Sequence, residues 1–251
     1  MQFIVDADPQ FDDVKIRDTS CNNVDIIGDI VKNNDVKFML VCGDLTHNGS
    51  DGKSQLCSCC IPSGVPDQLT PFLDDYLYPI ENMGIPVYLA HGNHDEYVSW
   101  PYIRKPVLDF IQDRYGGLNY FFDVHVDTKD IPGIRVVCCG KYPNEETLKW
   151  LEMTLVPSVG AYMFYFHYPC IGNLSGNDWW SKEEKSDFYS LIKRKKINVL
   201  AIFSGHHHKN RVNKWNNILN IVTGGKGVVL CNVSWDSNLK QYRLTWNFKT
   251  K

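Results

Sequence analysis

Apolar residues along this chain fall into short continuous runs separated by stretches with helical spacing, and that alternation is the first structural signal. The runs Phe3 to Val5, Val36 to Cys42, Val87 to Ala90, Tyr120 to Val126, Ile134 to Cys139, Tyr162 to His167 and Val199 to Phe203 have strand length. Several are apolar at every position, which predicts strands buried on both faces. Between them, Val24 to Val31 repeats apolar residues with helical spacing, and Phe72 to Ile80 follows Thr70 as a cap and Pro71 in the first turn. Lys182 to Ile192 follows the capping box formed by Ser181 and Glu184. Strands alternating with helices predict an α/β fold. From Ile218 to Phe248 the pattern changes to three β segments, broken by Gly224, Gly225 and Gly227 and by Asp236 to Asn238. These predict an antiparallel meander closing a second sheet.

Composition narrows the class without changing it. At 251 residues, with no shift in composition to mark a boundary, residues 1–251 are expected to form a single α/β domain. A 43% hydrophobic and 22% charged composition is globular and excludes disorder. The formal net charge of -3 lacks the basic excess of duplex-binding domains, so no nucleic-acid partner is expected. The run at Phe3 follows Met1 and Gln2 directly, leaving no room for a signal peptide, and no window holds 18 apolar residues, so no membrane span is expected. Nine cysteines without an export signal are expected to be reduced thiols in a cytoplasmic protein; Cys57, Cys59 and Cys60 lack the second pair that would complete a zinc knuckle. The stretch His47 to Gln68 is rich in Gly, Ser, Asp, Pro and Cys and reads as a long surface loop bordering a site.

Five segments place oxygen or imidazole donors just past a buried strand, where loops of an α/β sheet converge: Asp8-Pro9-Gln10, Gly43-Asp44, Gly92-Asn93-His94-Asp95, His167, and Gly205-His206-His207-His208. One such histidine is usually structural, whereas five such segments together indicate a metal centre. A mixed Asp, Asn and His set suits Zn, Mn or Fe, while a calcium site would be all oxygen.

In order and position these residues resemble the calcineurin-like metallophosphoesterase superfamily, whose pattern runs D-x-H, G-D, G-N-H-[DE], a lone H and G-H-x-H. The resemblance spans residues 8 to 208. It implies a four-layer sandwich of two mixed β-sheets flanked by helices, holding two divalent or transition-metal ions (Mn, Fe, Zn or Mg). It further implies that Asp44 bridges the ions, with Asp8 and His208 on the first and Asn93, His167 and His206 on the second. His94 would be a catalytic residue, oriented by Asp8 or Asp95. The departure is Gln10, which stands where the pattern has His and would donate its amide oxygen or stand just behind the ligands. His47 lies where purple acid phosphatases place a tyrosine ligand. His207 should point away from the metals, and Asp6 competes with Asp8 if the first strand stops early.

The implied activity is hydrolysis of a phosphorylated substrate by a hydroxide held between the two metals, since paired metals activate water and stabilise in-line displacement at phosphorus. A phosphomonoesterase is favoured, and a phosphodiesterase with the same centre is the alternative. A phosphoprotein phosphatase of the G-D-x-V-D-R-G type is disfavoured, because Leu45-Thr46-His47-Asn48-Gly49 follows Asp44. The reading from another class is a non-catalytic scaffold module on the same fold. Tyr97, Trp100, Trp179 and Trp180 are candidates to line a substrate cleft or to pack the core.

Overall fold

In the computed structural model, residues 1–11, 15–50, 67–96, 105–126, 131–171, 180–224 and 227–250 are described, with the backbone alone for 15–22, and the apolar runs become strands of two stacked sheets. The first sheet runs β11 (Gln241–Lys249), β10 (Val228–Asp236), β1 (Gln2–Asp6), β2 (Val36–Cys42), β3 (Val87–Ala90). The second runs β4 (Asn119–Val124), β5 (Ile134–Cys139), β6 (Ala161–Tyr165), β7 (Val199–Ser204), β9 (Ile218–Val222), β8 (Arg211–Trp215). Strands β1, β2 and β3 are parallel, as are β5, β6, β7 and β9, so within each sheet these strands end at a common edge. The two sheets are mixed because β10 and β11 are antiparallel in the first, and β4 and β8 in the second.

Period-two alternation sorts each strand's residues between two cores. In β2, Phe38, Leu40 and Cys42 join Phe3, Val136, Met163 and Phe203 in the layer between the sheets. Met39 and Val41 point the other way, against Ile27 and Ile30 of α1 (Lys15–Asn33) and Ile111 of α4 (Pro106–Tyr115). The outer face of the second sheet carries Val137, Phe164 and Ile202 against Leu151 of α5 (Glu145–Thr154) and Phe188 and Leu191 of α6 (Lys182–Lys195). The result is helix, sheet, sheet, helix, the four-layer sandwich expected from the sequence.

Three expectations are corrected. The C-terminal segments do not close one sheet: β9 joins the second sheet beside β7, while β10 and β11 form a hairpin that completes the first beside β1. Thr70 is not a cap. The helical run starts at Leu69 and continues as α2 (Leu69–Phe72), a π turn (Leu73–Leu77) and α3 (Tyr78–Glu81), with Asp67 Oδ1 accepting the Thr70 N–H at 2.9 Å. The helix read as Val24 to Val31 begins at Lys15 and ends at Asn33. Among the described residues no helix is long and apolar enough to cross a membrane.

Candidate metal centre

The loop after β1 runs alongside the loop after β2. Asp8 N–H donates to Gly43 O, Gln10 N–H to Asp44 O, Phe11 N–H to Leu45 O and His47 N–H to Phe11 O, extending the parallel pairing past the strand ends. This ladder holds the Asp8 and Asp44 segments side by side at the top of the sheets. Asp8, Gln10, Asp44, His206 and His208 all have φ between +40° and +69°, the left-handed region that non-glycine residues rarely occupy. Such conformations cost on the order of 1–3 kcal/mol each and persist where the surrounding structure dictates them, which is usual at functional sites.

Glycines make the close approach possible. A Cβ on Gly92 would lie 2.0 Å from Asp44 Oδ1 and 2.5 Å from the Asp44 nitrogen, and one on Gly43 would lie 2.9 Å from the His167 ring. We expect Gly92→Ala to push the Gly92 loop off Asp44 and to weaken metal binding and turnover by about 100-fold, the scale of a 1 Å misplacement; titration with Mn(II) checks it.

The side chains then converge. His167 Nε2 lies 3.2 Å from Asp44 Oδ2, 3.0 Å from Asn93 Oδ1 and 3.1 Å from His206 Nδ1. Its other nitrogen, Nδ1, is 2.9 Å from Cys42 O; a carbonyl only accepts, so Nδ1–H donates to it and Nε2 is the nitrogen turned to the cluster. On the other side His208 Nε2 is 3.6 Å from Asp8 Oδ1, and the His206 N–H donates to both Asp8 oxygens at 2.9 Å. Two donor triads result, Asp44 with His167 and His206, and Asp8 with Asp44 and His208, each with all donor atoms within 4.8 Å. Asp44 belongs to both.

The electrostatics fit a cation pair. Asp8 and Asp44 are 4% and 1% exposed, and neither pairs with Lys or Arg among the described residues. Burial pushes the Asp8 carboxyl well up against the opposing pull of His167, and the neighbouring Asp44 charge adds to the rise. Burial would raise Asp44 too, but His167 and His94 overcome it and hold Asp44 well below the usual carboxylate range. For His167, burial alone would lower the pKa, yet Asp44 and Asp8 raise it to about 9. Burial, then His167, depresses His206 to about 3, and burial also lowers His208, so both are neutral imidazoles at pH 7. Paired buried carboxylates facing neutral imidazoles form a donor set suited to transition metals.

The other expected residues are placed as follows. Asp6 does not compete with Asp8. Its carboxylate turns away to Tyr76 Oη at 2.5 Å and to Asn23 Nδ2, and burial lifts its pKa to about 6. Gln10 is buried beside the triads, but as placed its Nε2 donates to Asp44 Oδ2 at 3.2 Å, so the amide nitrogen, not the oxygen, faces that carboxylate. Asp95 does not orient His94. Its carboxylate accepts from Leu45 N–H, Thr46 N–H, Thr46 Oγ1 and Gly92 N–H, fastening the third motif to the second. Asp8 likewise spends its hydrogen bonds on His206.

What orients His94 escaped the sequence reading: its Nδ1–H donates to the backbone carbonyl of His47 at 2.6 Å, leaving Nε2 4.0 Å from Asp44 Oδ2. His47 contributes that carbonyl and a ring tilted against His94, not a member of either donor triad. His207 is outside both triads as well. Trp180 is 1% exposed among Phe166 and Phe188, a core residue and not a cleft wall. Tyr97, Trp100, Trp179, Cys57, Cys59, Cys60 and most of the loop from His47 to Gln68 lie outside the described residues.

Two layered sheets bring carboxylate and imidazole donors together at their strand ends, the arrangement of a candidate two-metal centre. The chain belongs to the calcineurin-like phosphoesterase family, whose profile matches residues 20–210. That span holds every motif except the first, so Asp8 enters the site on geometry. No curated protein matches the sequence. Among solved structures, the chain is similar to the Plasmodium protein GAP50, described as the anchor in the inner membrane complex, at 14% identity and TM-score 0.68 over 100% of this chain and 84% of that one. It is similar to a dimetal phosphatase from Danio rerio at 13% identity and TM-score 0.66, over 100% and 96% of the two chains. A 5'-nucleotidase from Staphylococcus aureus matches at 14% identity and TM-score 0.60, over 99% of this chain and 54% of that one. These likenesses show the fold; the family is one of dinuclear metal-dependent phosphoester hydrolases.

Proposed function

We propose that the chain is a phosphomonoesterase that cleaves a small phosphorylated substrate with two metal ions held by Asp8, Asp44, Asn93, His167, His206 and His208, with Gln10 behind them on Asp44. The observation that carries the reading is Asp44, shared by two donor triads and flanked by His94. Bound there, a pair of divalent or transition-metal ions supplies charge neutralisation at phosphorus and activation of the attacking water. The chain's own part is to hold those groups and to manage the proton of the leaving oxygen. His94, with Nδ1–H fixed on the His47 carbonyl, directs Nε2 toward the site and gives its Nε2 proton to the leaving oxygen as the ester P–O bond breaks, releasing the alcohol. Monoester preference is supported by the formal net charge of -3, which offers no basic track for a polyanion. The five cysteines described as free and buried support a reducing, cytoplasmic setting.

The test is metal content by elemental analysis, with hydrolysis of p-nitrophenyl phosphate and bis-p-nitrophenyl phosphate by the same metal-loaded sample. Two ions per chain with the monoester cleaved faster is the expected result. A faster diester moves the chain to the phosphodiesterases. Fewer than two ions, with neither ester cleaved under Mn, Zn, Fe or Mg, makes it a non-catalytic module on this fold.

A further inference from the structure

Beside the donor set lies a partly buried hydrogen-bonded trio that the reaction does not use. His91, one residue past β3, places Nε2 3.1 Å from Glu96 Oε1, and Lys141, two residues past β5, pairs its Nζ with Glu96 Oε2. The three side chains are 8%, 28% and 24% exposed. Burial would raise the Glu96 pKa, but the bonds from His91 and Lys141 overcome it and hold the carboxyl down at about 2. Glu96 is therefore an ionised acceptor, and His91 Nε2–H donates to it.

The trio touches the centre from both sheets. On the first, Glu96 directly follows Asn93, His94 and Asp95 in the loop after β3. On the second, Gly140 O accepts the His167 N–H and Lys141 O accepts the Tyr168 N–H, so Lys141 is mounted on the backbone that carries His167. Gly140, at φ +52°, packs against the His91 ring so closely that a Cβ would lie 2.4 Å from Cε1. The Lys141 side chain extends over the Tyr168 ring, which in turn meets His206 edge-on at 4.7 Å. An exposed ion pair would be worth little. This one is partly buried and joins residues 45 apart in the chain, across the two halves of the donor set.

We propose that Glu96 is a positioning residue of the metal centre: held by His91 and Lys141, it ties the loop after β3 to the loop after β5 and sets how the donors of the two sheets face each other. The inference rests on the metal reading of the site given above. Partners standing behind metal ligands typically change metal affinity by 10–100-fold when removed.

The experiment titrates the full chain with Mn(II), reading affinity by calorimetry and the spin coupling of the ion pair by electron paramagnetic resonance. The variants are Glu96→Gln, Lys141→Met, their double and Lys141→Arg, with the melting temperature of the metal-free protein as a control. Expected are two coupled ions in the wild type and a loss of about 10-fold or more in the weaker affinity, with disturbed coupling, in each single. The double should lose no more than one single, because the two side chains act through one contact. Lys141→Arg should retain most of the affinity. If Glu96→Gln fails to fold, Lys141→Met carries the test alone. A wild type with two coupled ions and singles that match it would overturn this inference only, as would a double that loses the product of the two factors. A wild type that binds fewer than two ions would overturn the site reading, and this inference with it.

Discussion

Replacing Asp44 by Asn should abolish tight binding of both ions and turnover together, while the metal-free fold survives. Asp44 is the carboxylate common to both triads, so losing its charge weakens both ions, by more than the roughly 10–100-fold that removal of an outer partner costs. The amide oxygen of Asn can still accept the His94 N–H, which Asp44 Oδ1 does at 3.0 Å, so the loop is not left with an orphaned donor. Thermal shift reads the result: a ligand at 100 times its Kd stabilises a fold by about 2.7 kcal/mol, and the variant should show no such shift with Mn(II). The pH dependence gives a second check. His167 is raised to about 9 mainly against burial by Asp44, with Asp8 assisting, so in metal-free wild type it contributes stability that is fully present below the ordinary histidine value of 6.5 and lost as pH rises through 9. In Asp44→Asn that loss between pH 6.5 and 9 should shrink. An Asp44→Asn protein that still binds two ions tightly would remove Asp44 from the bridging role.

Much of this was legible in the chain because burial and period are written locally. Runs such as Phe3 to Val5 and Val36 to Cys42 are apolar on both faces, which only a strand covered by helix on one side and sheet on the other can use. The ligand segments were legible because each follows such a run. The sheet partner of a strand is not written in its own residues: β9 reads as continuous with β10 and β11, yet it pairs with β7 and β8 before it, while β10 reaches back across the chain to β1. Strand β8 escaped because it is an edge strand, Arg211 to Trp215, with no buried residue to mark an inner face. Helix α4 could have been found from Pro106 at its start and Gly116, at φ +76°, past its end, and α5 from Asn144, whose side chain accepts the Thr147 N–H. Within the site, side-chain ligands have a sequence signature, whereas the His47 carbonyl that orients His94 has none, since every residue carries a carbonyl. The Asp95 error has the same root: adjacency to His94 suggested an orienting role, but the turn directs its carboxylate at the backbone of Leu45, Thr46 and Gly92.

His94→Asn should leave both ions in place and lower kcat by about 10²- to 10⁴-fold, the range for loss of a positioned acid. His94 is in neither donor triad, and its backbone N–H to Asp44 does not depend on the side chain, so metal stoichiometry should not change. KM should move little, because the interaction lost is one made as the ester bond breaks. The size of the defect should depend on the leaving group. With Nδ1–H committed to the His47 carbonyl, only Nε2 is free to deliver a proton to the departing oxygen. p-Nitrophenolate is stable as an anion and needs little protonation, whereas an alkyl alkoxide needs it fully. The variant should therefore lose less activity on p-nitrophenyl phosphate than on an alkyl phosphate, and the ratio of the two losses measures how much of the work of His94 is proton donation. Equal losses on both would place His94 on the phosphoryl oxygens as a charge stabiliser, and full activity on both would remove it from the reaction.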